Sequence, residues 1–311
     1  MSQLYDLHGL FTMLRKPHDG HFVRELPSCG HQLTSNVRDM TGNRFRADEI
    51  DTSKPHSARM YDYFLGGKTH YAVDTHAAEQ VEAVWPEVKP WTRANRSFMH
   101  RATRWLAGEA GIRQFLDIGT GIPTEPNLHQ VAQKTAPDSR VVYADNDPIV
   151  LAYAQALLLS TPEGRTAYIH ADVRDPEAIL AAEDLNDTLD LSQPVALSLN
   201  AIMHFIADEQ KPYEIVRQLV EPLASGSYLV LSHGAIDPRP GVSDAVTNLY
   251  RSSGIHVQGR TQEEILPFFD GLELVDPGVV MPHRWKPESE QARVEAEAEE
   301  LWIFAGVARK P

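Results

Sequence analysis

The sequence predicts an α/β fold built on a largely parallel sheet, and three observations carry that expectation. Short apolar runs end in polar turns and give way to segments of helical period, and the alternation repeats from about residue 114 to residue 252. The stretch QFLDIGTGIPTE, Gln114 to Glu125, reads as a strand that breaks into the turn Gly119-Thr120-Gly121 before a helix. Three acids, Asp117, Asp145 and Asp172, close three successive strands at separations of 28 and 27 residues, one strand–helix unit each.

Composition narrows the class. The chain has 311 residues and a formal charge of −14, from 43 acids against 29 bases, a field that repels phosphate backbones and makes nucleic acid a poor partner. Its mean hydropathy of −0.34 is that of an ordinary soluble protein large enough to bury a core. The single cysteine, Cys29, excludes an internal disulfide and a multi-cysteine zinc site, and His, Asp and Glu are scattered without ligand spacing, so no metal is expected. No apolar run approaches the length of a membrane span, and the first residues lack a basic and then apolar leader. A cytoplasmic location is the expectation.

In chain order, residues 1–45 carry no sustained period and read as a poorly ordered or loosely docked extension. Residues 46–311 read as the functional domain, with a helical lid over 46–110 and an α/β core over 111–311. A helix is expected from His56 to Leu65, capped by Asp51, Thr52 or Ser53 and ended by Gly66-Gly67. Its aromatic cluster is either an amphipathic face or a clamp over a ligand, and Tyr63 and Gly66 are candidate contacts on the second reading. Further helices are expected over Thr75 to Val84 and Thr92 to Gly108. Strands then fall at Phe115 to Ile118, Arg140 to Ala144, Thr166 to His170, Val195 to Leu199 and Ser227 to Ser232. The helices between and after them are placed at Glu125 to Thr135, Ile149 to Leu159, Pro176 to Ala182, Lys211 to Leu223 and Ser243 to Ser252. Thr261 to Phe269 reads as a helix with an awkward Pro267, and Leu272 to Val275 and Leu301 to Val307 as an antiparallel edge pair joined by a loop.

The glycine turn is a nucleotide-type site whose ligand the neighbouring residues select. Glycine allows a positive φ and a close approach of ligand to backbone. The pattern is Gly119-x-Gly121-x-x-Thr124, without the third glycine of the dinucleotide fingerprint, and Pro123 also stands against a pyrophosphate cradle. Asp145 suits the two hydroxyls of a ribose, and Asp172 an adenine amino group. Carboxylates along a cleft suit a cationic sulfonium ligand better than a pyrophosphate.

These residues, with IDTSKPHSARMYDYFLGGKTHYAVD before them and PVALSLNAIMHFI, GSYLVLSHGAID and GVARK after, resemble the class I S-adenosylmethionine (SAM)-dependent methyltransferases. More narrowly, the chain is similar to a bacterial methyltransferase family long filed as a domain of unknown function, over about Ile50 to Lys310. The resemblance implies a Rossmann-like seven-stranded sheet in the order 3-2-1-4-5-7-6, last strand antiparallel, with helices on both faces. It implies that Asp117, Gly119, Thr120 and Gly121 face the methionine part of SAM. Asp145 would hold the ribose, Asn146, Asp172 and Val173 would meet the adenine, and Asn200, Ala201 and Ile202 would floor the site near the sulfonium. The sequence after the fourth strand, Leu199 to Phe205, lacks the acidic or Asn-Pro-Pro motif of enzymes that methylate amines in nucleic acids or proteins. A small-molecule acceptor is therefore expected. His204 and His233, at the carboxyl edge of the sheet, are the candidate general bases, with backbone-satisfied histidines as the plain alternative; Tyr250 and Arg251 are weaker pocket candidates. A non-catalytic SAM-binding sensor is the alternative function.

Overall fold

The computed structural model describes residues 51–150, 159–292 and 300–311. Its centre is one seven-stranded sheet in the order β3-β2-β1-β4-β5-β7-β6. The strands are β1 (Gln114–Ile118), β2 (Arg140–Asp145), β3 (Arg165–His170), β4 (Ala196–Asn200), β5 (Tyr228–Gly234), β6 (Glu273–Leu274) and β7 (Ile303–Arg309). The first five run parallel, and β7 enters antiparallel between β5 and β6. The expected order and the antiparallel last strand are both present. In the parallel register Asp117 pairs with Tyr143 and Asp145 with His170, which brings the polar strand ends to one edge.

Alternation of side chains across the sheet divides the core into two layers. Leu116, Val142, Ala144, Leu197 and Leu231 face a layer that includes α7 (Pro212–Val220), while Phe115, Val141, Tyr143 and Val230 face one that includes α3 (Val88–Gly108) and α4 (Leu128–Thr135). Both faces are thereby covered, as parallel sheets require.

Helix boundaries depart from expectation where side chains compete to cap them. Helix α1 (Ser57–Leu65) is capped by His56, whose Nδ1 accepts from the Ala58 amide at 3.3 Å, and Asp51 instead turns onto Ser53. Helix α2 (Ala72–Val84) starts three residues early because the Asp74 carboxylate accepts the amides of both Tyr71 and His56. Helix α4 starts three residues late. Pro123 and Pro126 disfavour helical geometry in the residues before them, and Gln130 accepts the Asn127 amide at 2.6 Å to set the new start. The segment after β3 breaks into α5 (Pro176–Ala181) and α6 (Glu183–Thr188). Pro267 likewise ends α9 (Gln262–Ile265) in a short 3-10 turn, and α8 spans Val242–Ser252. Residues 148–150 begin a helix after β2. The rest of that expected helix, the N-terminal extension and residues 293–299 of the late loop lie outside the described residues.

That late loop carries an anchor the sequence reading missed. Trp285 is fully buried, edge-on to Phe98 and Trp105 of α3, and the Arg101 guanidinium donates to its carbonyl at 3.0 Å. Trp285→Ala is expected to cost about 3–5 kcal/mol, as for other large-to-small core changes. The check is the urea midpoint; an unchanged midpoint would mean that the loop docks without the ring.

Candidate functional site

The carboxyl edge of the parallel strands opens into a cavity roofed by α1, α3 and α8. Its lining falls into two parts according to the strands beneath. On the β1–β3 side lie Asp117, the turn Gly119 to Gly121, Asp145, Asn146, Ala171 and Val173. On the β4–β5 side lie Asn200, Ala201, Ile202, His204 and Phe205, then Gly234, Ala235 and Asp237 after β5, and Val242, Ser243, Val246, Thr247 and Tyr250 of α8.

The glycine turn is locked by two hydrogen bonds. The Gly119 amide donates to the Ala144 carbonyl at 2.8 Å, and the Gly121 amide to Asp145 Oδ2 at 2.8 Å. Both glycines hold positive φ, 74° and 67°. A Cβ on Gly119 would also stand 2.8 Å from the Ile202 side chain, so the turn needs glycine for space as well as for conformation. Because α4 begins only at Leu128, its free amides lie beyond the lining; the turn itself, not the helix start, faces the cavity.

Burial shapes the acids. Asp117 is 9% exposed and its carboxyl is pushed up to about 6, mainly by loss of water, against the opposing pull of a Ser198 hydrogen bond and the Arg96 charge. Asp145 is also raised by burial, although it accepts the amides of Gly121 and Asp147. Asp172 differs. It takes Arg174 and Asn146 as partners, which hold it down at about 2, and it stands outside the lining. The expected adenine contact at Asp172 is thus corrected: its carboxylate orients the Asn146 amide at 3.0 Å, and Asn146 is the residue that reaches the cavity.

Other expectations need correction as well. Tyr63 and Gly66 lie off the cavity, in a separate recess with His70, Lys89 and Arg93. The residues of α1 that do line the cavity are Ser57, Ala58, Tyr61 and Phe64, which share one helical face. His233 is fully buried and spent on structure: its Nδ1–H donates to the Gly234 carbonyl at 2.8 Å, and its Nε2 accepts from the Arg260 guanidinium at 2.7 Å. Arginine can only donate, so this tautomer is fixed. His204 lines the cavity, but its Nδ1 accepts from the Gly234 amide at 3.3 Å and burial pushes its pKa down to about 3. The proton therefore sits on Nε2, which makes His204 a hydrogen-bond donor rather than a base. Tyr250 lines the cavity, and Arg251 does not.

Sequence reasoning missed the contribution of α3. Thr92, Asn95, Arg96 and Met99 line the cavity at i, i+3, i+4 and i+7 spacing. Polar residues at that spacing inside an apolar helix face were the available signal. Arg96 donates to the carbonyls of Thr124 and Pro126 beside the turn, while its Nε is buried without a partner. Asn200 Oδ1 is a second buried atom without a partner, its amide nitrogen being held by Ser198 at 2.7 Å. Among the described residues no cluster of His, Cys, Asp or Glu could hold a metal, and no helix is long and apolar enough to cross a membrane.

A family model for S-adenosyl methyltransferases matches residues 43–311. The chain belongs to that family. It is accordingly an enzyme, a SAM-dependent methyltransferase. Two solved structures are similar over nearly their whole length. One is a DUF574 family protein from Streptomyces avermitilis, 52% identical, with a TM-score of 0.80, covering 84% of this chain and 100% of its own. The other, from Thermobifida fusca and provisionally assigned as a methyltransferase, is 39% identical with a TM-score of 0.78, covering 84% and 97%. No curated protein sequence matches the chain. The methyltransferase cavity fits SAM on its own terms: an unpartnered acceptor on Asn200 and an unpartnered donor on Arg96 suit the ammonium and carboxylate of an amino-acid tail. When bound, SAM supplies a methyl carbon activated by its sulfonium.

The titrating groups set the acid limb of stability. Burial holds His100 and His129 to about 4, His204 to about 3 and His233 well below its ordinary value. Their folded pKa values lie below the unfolded value of about 6.5, so the unfolded chain gains protons that the fold refuses, and stability falls as pH drops through that value. Asp117 has the opposite sign: its folded pKa of about 6 lies above its unfolded one, so its contribution is present at low pH and lost as pH rises through 6. The urea midpoint should therefore fall between pH 7 and pH 5, and more steeply in Asp117→Asn, which lacks the opposing gain. A flat wild-type profile would show that these histidines titrate freely in the folded state.

Proposed function

We propose that the enzyme transfers a methyl group to a small molecule bound on the β4–β5 side of the cavity, with SAM on the β1–β3 side. The observation that carries this reading is that the glycine turn, Asp117 and Asp145 open onto the same cavity as a wall of aromatic side chains, Trp85, Trp91, Phe205, Tyr250 and Trp302 among them. A cavity of that lining suits a small apolar body, and bringing the two reactants together supplies much of the rate in an in-line displacement.

In this reading Asp145 accepts the ribose hydroxyls with the lone pairs left over from Gly121 and Asp147, and Ala171 and Val173 flank the adenine with Asn146. Asp117 and Asn200 Oδ1 accept from the methionine ammonium. Arg96 takes the carboxylate, since its cation has no carboxylate of its own beyond the more distant charge of Asp117. His204 and the backbone at Ala201, strained into the left-handed region at φ 53°, form the floor between the two sides.

Calorimetry with S-adenosylhomocysteine and 5′-methylthioadenosine separates these roles, because only the first carries the amino-acid tail. Asp145→Ala is expected to weaken both ligands by about tenfold or more, as loss of a charge-assisted hydrogen-bond partner does. Arg96→Met should weaken S-adenosylhomocysteine by about 10–100-fold and leave 5′-methylthioadenosine within about twofold. Equal losses for the two ligands would make Arg96 a purely structural residue, and unchanged affinity in Asp145→Ala would remove the ribose assignment.

A further inference from the structure

The β4–β5 side of the cavity has a charge balance that restricts what it can hold. Asp237, the one carboxylate of its lining, is taken up by Arg239, whose backbone amide and Nε donate to Oδ1 at 2.8 and 3.0 Å. Arg239 in turn reaches Glu87 at 2.7 Å and is not part of the lining. No carboxylate is left there for an ammonium group, and no cation for a carboxylate. An ionised acceptor would give up water there without gaining a partner.

The polar groups of this side are mostly consumed as well. Asn95 accepts from the Ser232 hydroxyl at 2.6 Å and donates to the Tyr61 hydroxyl at 2.9 Å, and Trp91 donates its ring N–H to the Trp302 carbonyl at 3.0 Å. His204 keeps a spare donor, since its Nδ1 is engaged by Gly234 and its Nε2–H has no partner among the described residues. The groups of this side that could take up a proton are engaged: the Gly234 amide occupies His204 Nδ1 and Arg239 holds the Asp237 carboxylate, and burial works against a charged form of His204 or Tyr250. An acceptor hydroxyl would therefore have to be methylated with its proton still attached. A nitrogen lone pair needs no such removal.

We propose that the acceptor is a neutral, planar nitrogen heterocycle, gripped between the aromatic walls, held through one heteroatom by the His204 Nε2–H and methylated at a ring nitrogen. This deepens the reading under Proposed function and rests on it. The nitrogen lone pair forms the new N–CH3 bond as the C–S bond breaks, and the pair of that bond stays on sulfur. The positive charge passes from sulfur to nitrogen, and no proton moves. The faces of Trp91, Phe205 and Tyr250 favour a cation in either position, which accommodates the charged product without a carboxylate.

The test uses the intact protein saturated with S-adenosylhomocysteine, with quenching of tryptophan fluorescence as the signal, since Trp85, Trp91 and Trp302 line the chamber. The probes are quinoxaline, naphthalene and 2-naphthoate, which share a ring size and differ in heteroatoms and charge. Quinoxaline is expected to bind at least about tenfold more tightly than 2-naphthoate, because the anion finds no partner. His204→Phe should weaken quinoxaline by about tenfold and leave naphthalene unchanged, and His204→Gln, which keeps an N–H donor, should recover most of the loss. Tighter binding of 2-naphthoate, or equal losses of quinoxaline and naphthalene in His204→Phe, would overturn the proposal. So would transfer of label from SAM to the oxygen of 2-naphthol in preference to the nitrogen of quinoline. Failure of the wild-type protein to bind S-adenosylhomocysteine would instead overturn the cofactor reading beneath it.

Discussion

The hydrogen bond from the Gly121 amide to the Asp145 carboxylate ties the first strand's turn to the end of the second, and the β1–β3 side of the cavity depends on it. It fixes the height of the glycine turn above the sheet edge and orients the carboxylate. That carboxylate also accepts the Asp147 amide, so one buried acid organises the turns after both strands. Such an arrangement is possible only because neighbouring parallel strands end at the same edge, which the register of β1 on β2 enforces.

On the opposite side Arg260 has a comparable role. Its guanidinium, 1% exposed, donates to His233, to the carbonyls of Met203 and Ile206 and to Asp208. It thereby holds the loop that carries His204 and Phe205, and the Gln258 amide adds a bond to the His204 carbonyl at 2.8 Å. His233 stands outside the cavity lining with both ring nitrogens engaged, one of the acceptors that make a buried arginine tolerable.

Much of this was legible in the sequence because it depends on local pattern. Strand positions follow from apolar runs, the turn from its glycines, and Asp117 and Asp145 from their place at strand ends, which the structure brings to one cavity. What was not legible depends on how side chains meet in space, whether the partner lies near or far along the chain. Asp172 looks like a ligand acid until Arg174 is seen wrapped around it. Tyr61 and Tyr63 are two residues apart yet line different hollows, because a helix turns by about 100° per residue. His204 and His233 share a sheet edge, but only a knowledge of Gly234 and Arg260 assigns their tautomers. Trp285 was hidden because a proline-broken, charged stretch gives no period, although its ring fills the space beside α3.

The place of β7 has a consequence for how the protein comes into being. It lies between β5 and β6, and its neighbour Trp302 closes one wall of the chamber. During synthesis every other strand of the sheet emerges from the ribosome before it, with β5 showing a bare edge and β6 lacking any partner. The nascent chain therefore waits with its sheet unclosed until residues 303–309 appear, and a stalled or clipped product would expose an open strand edge prone to association.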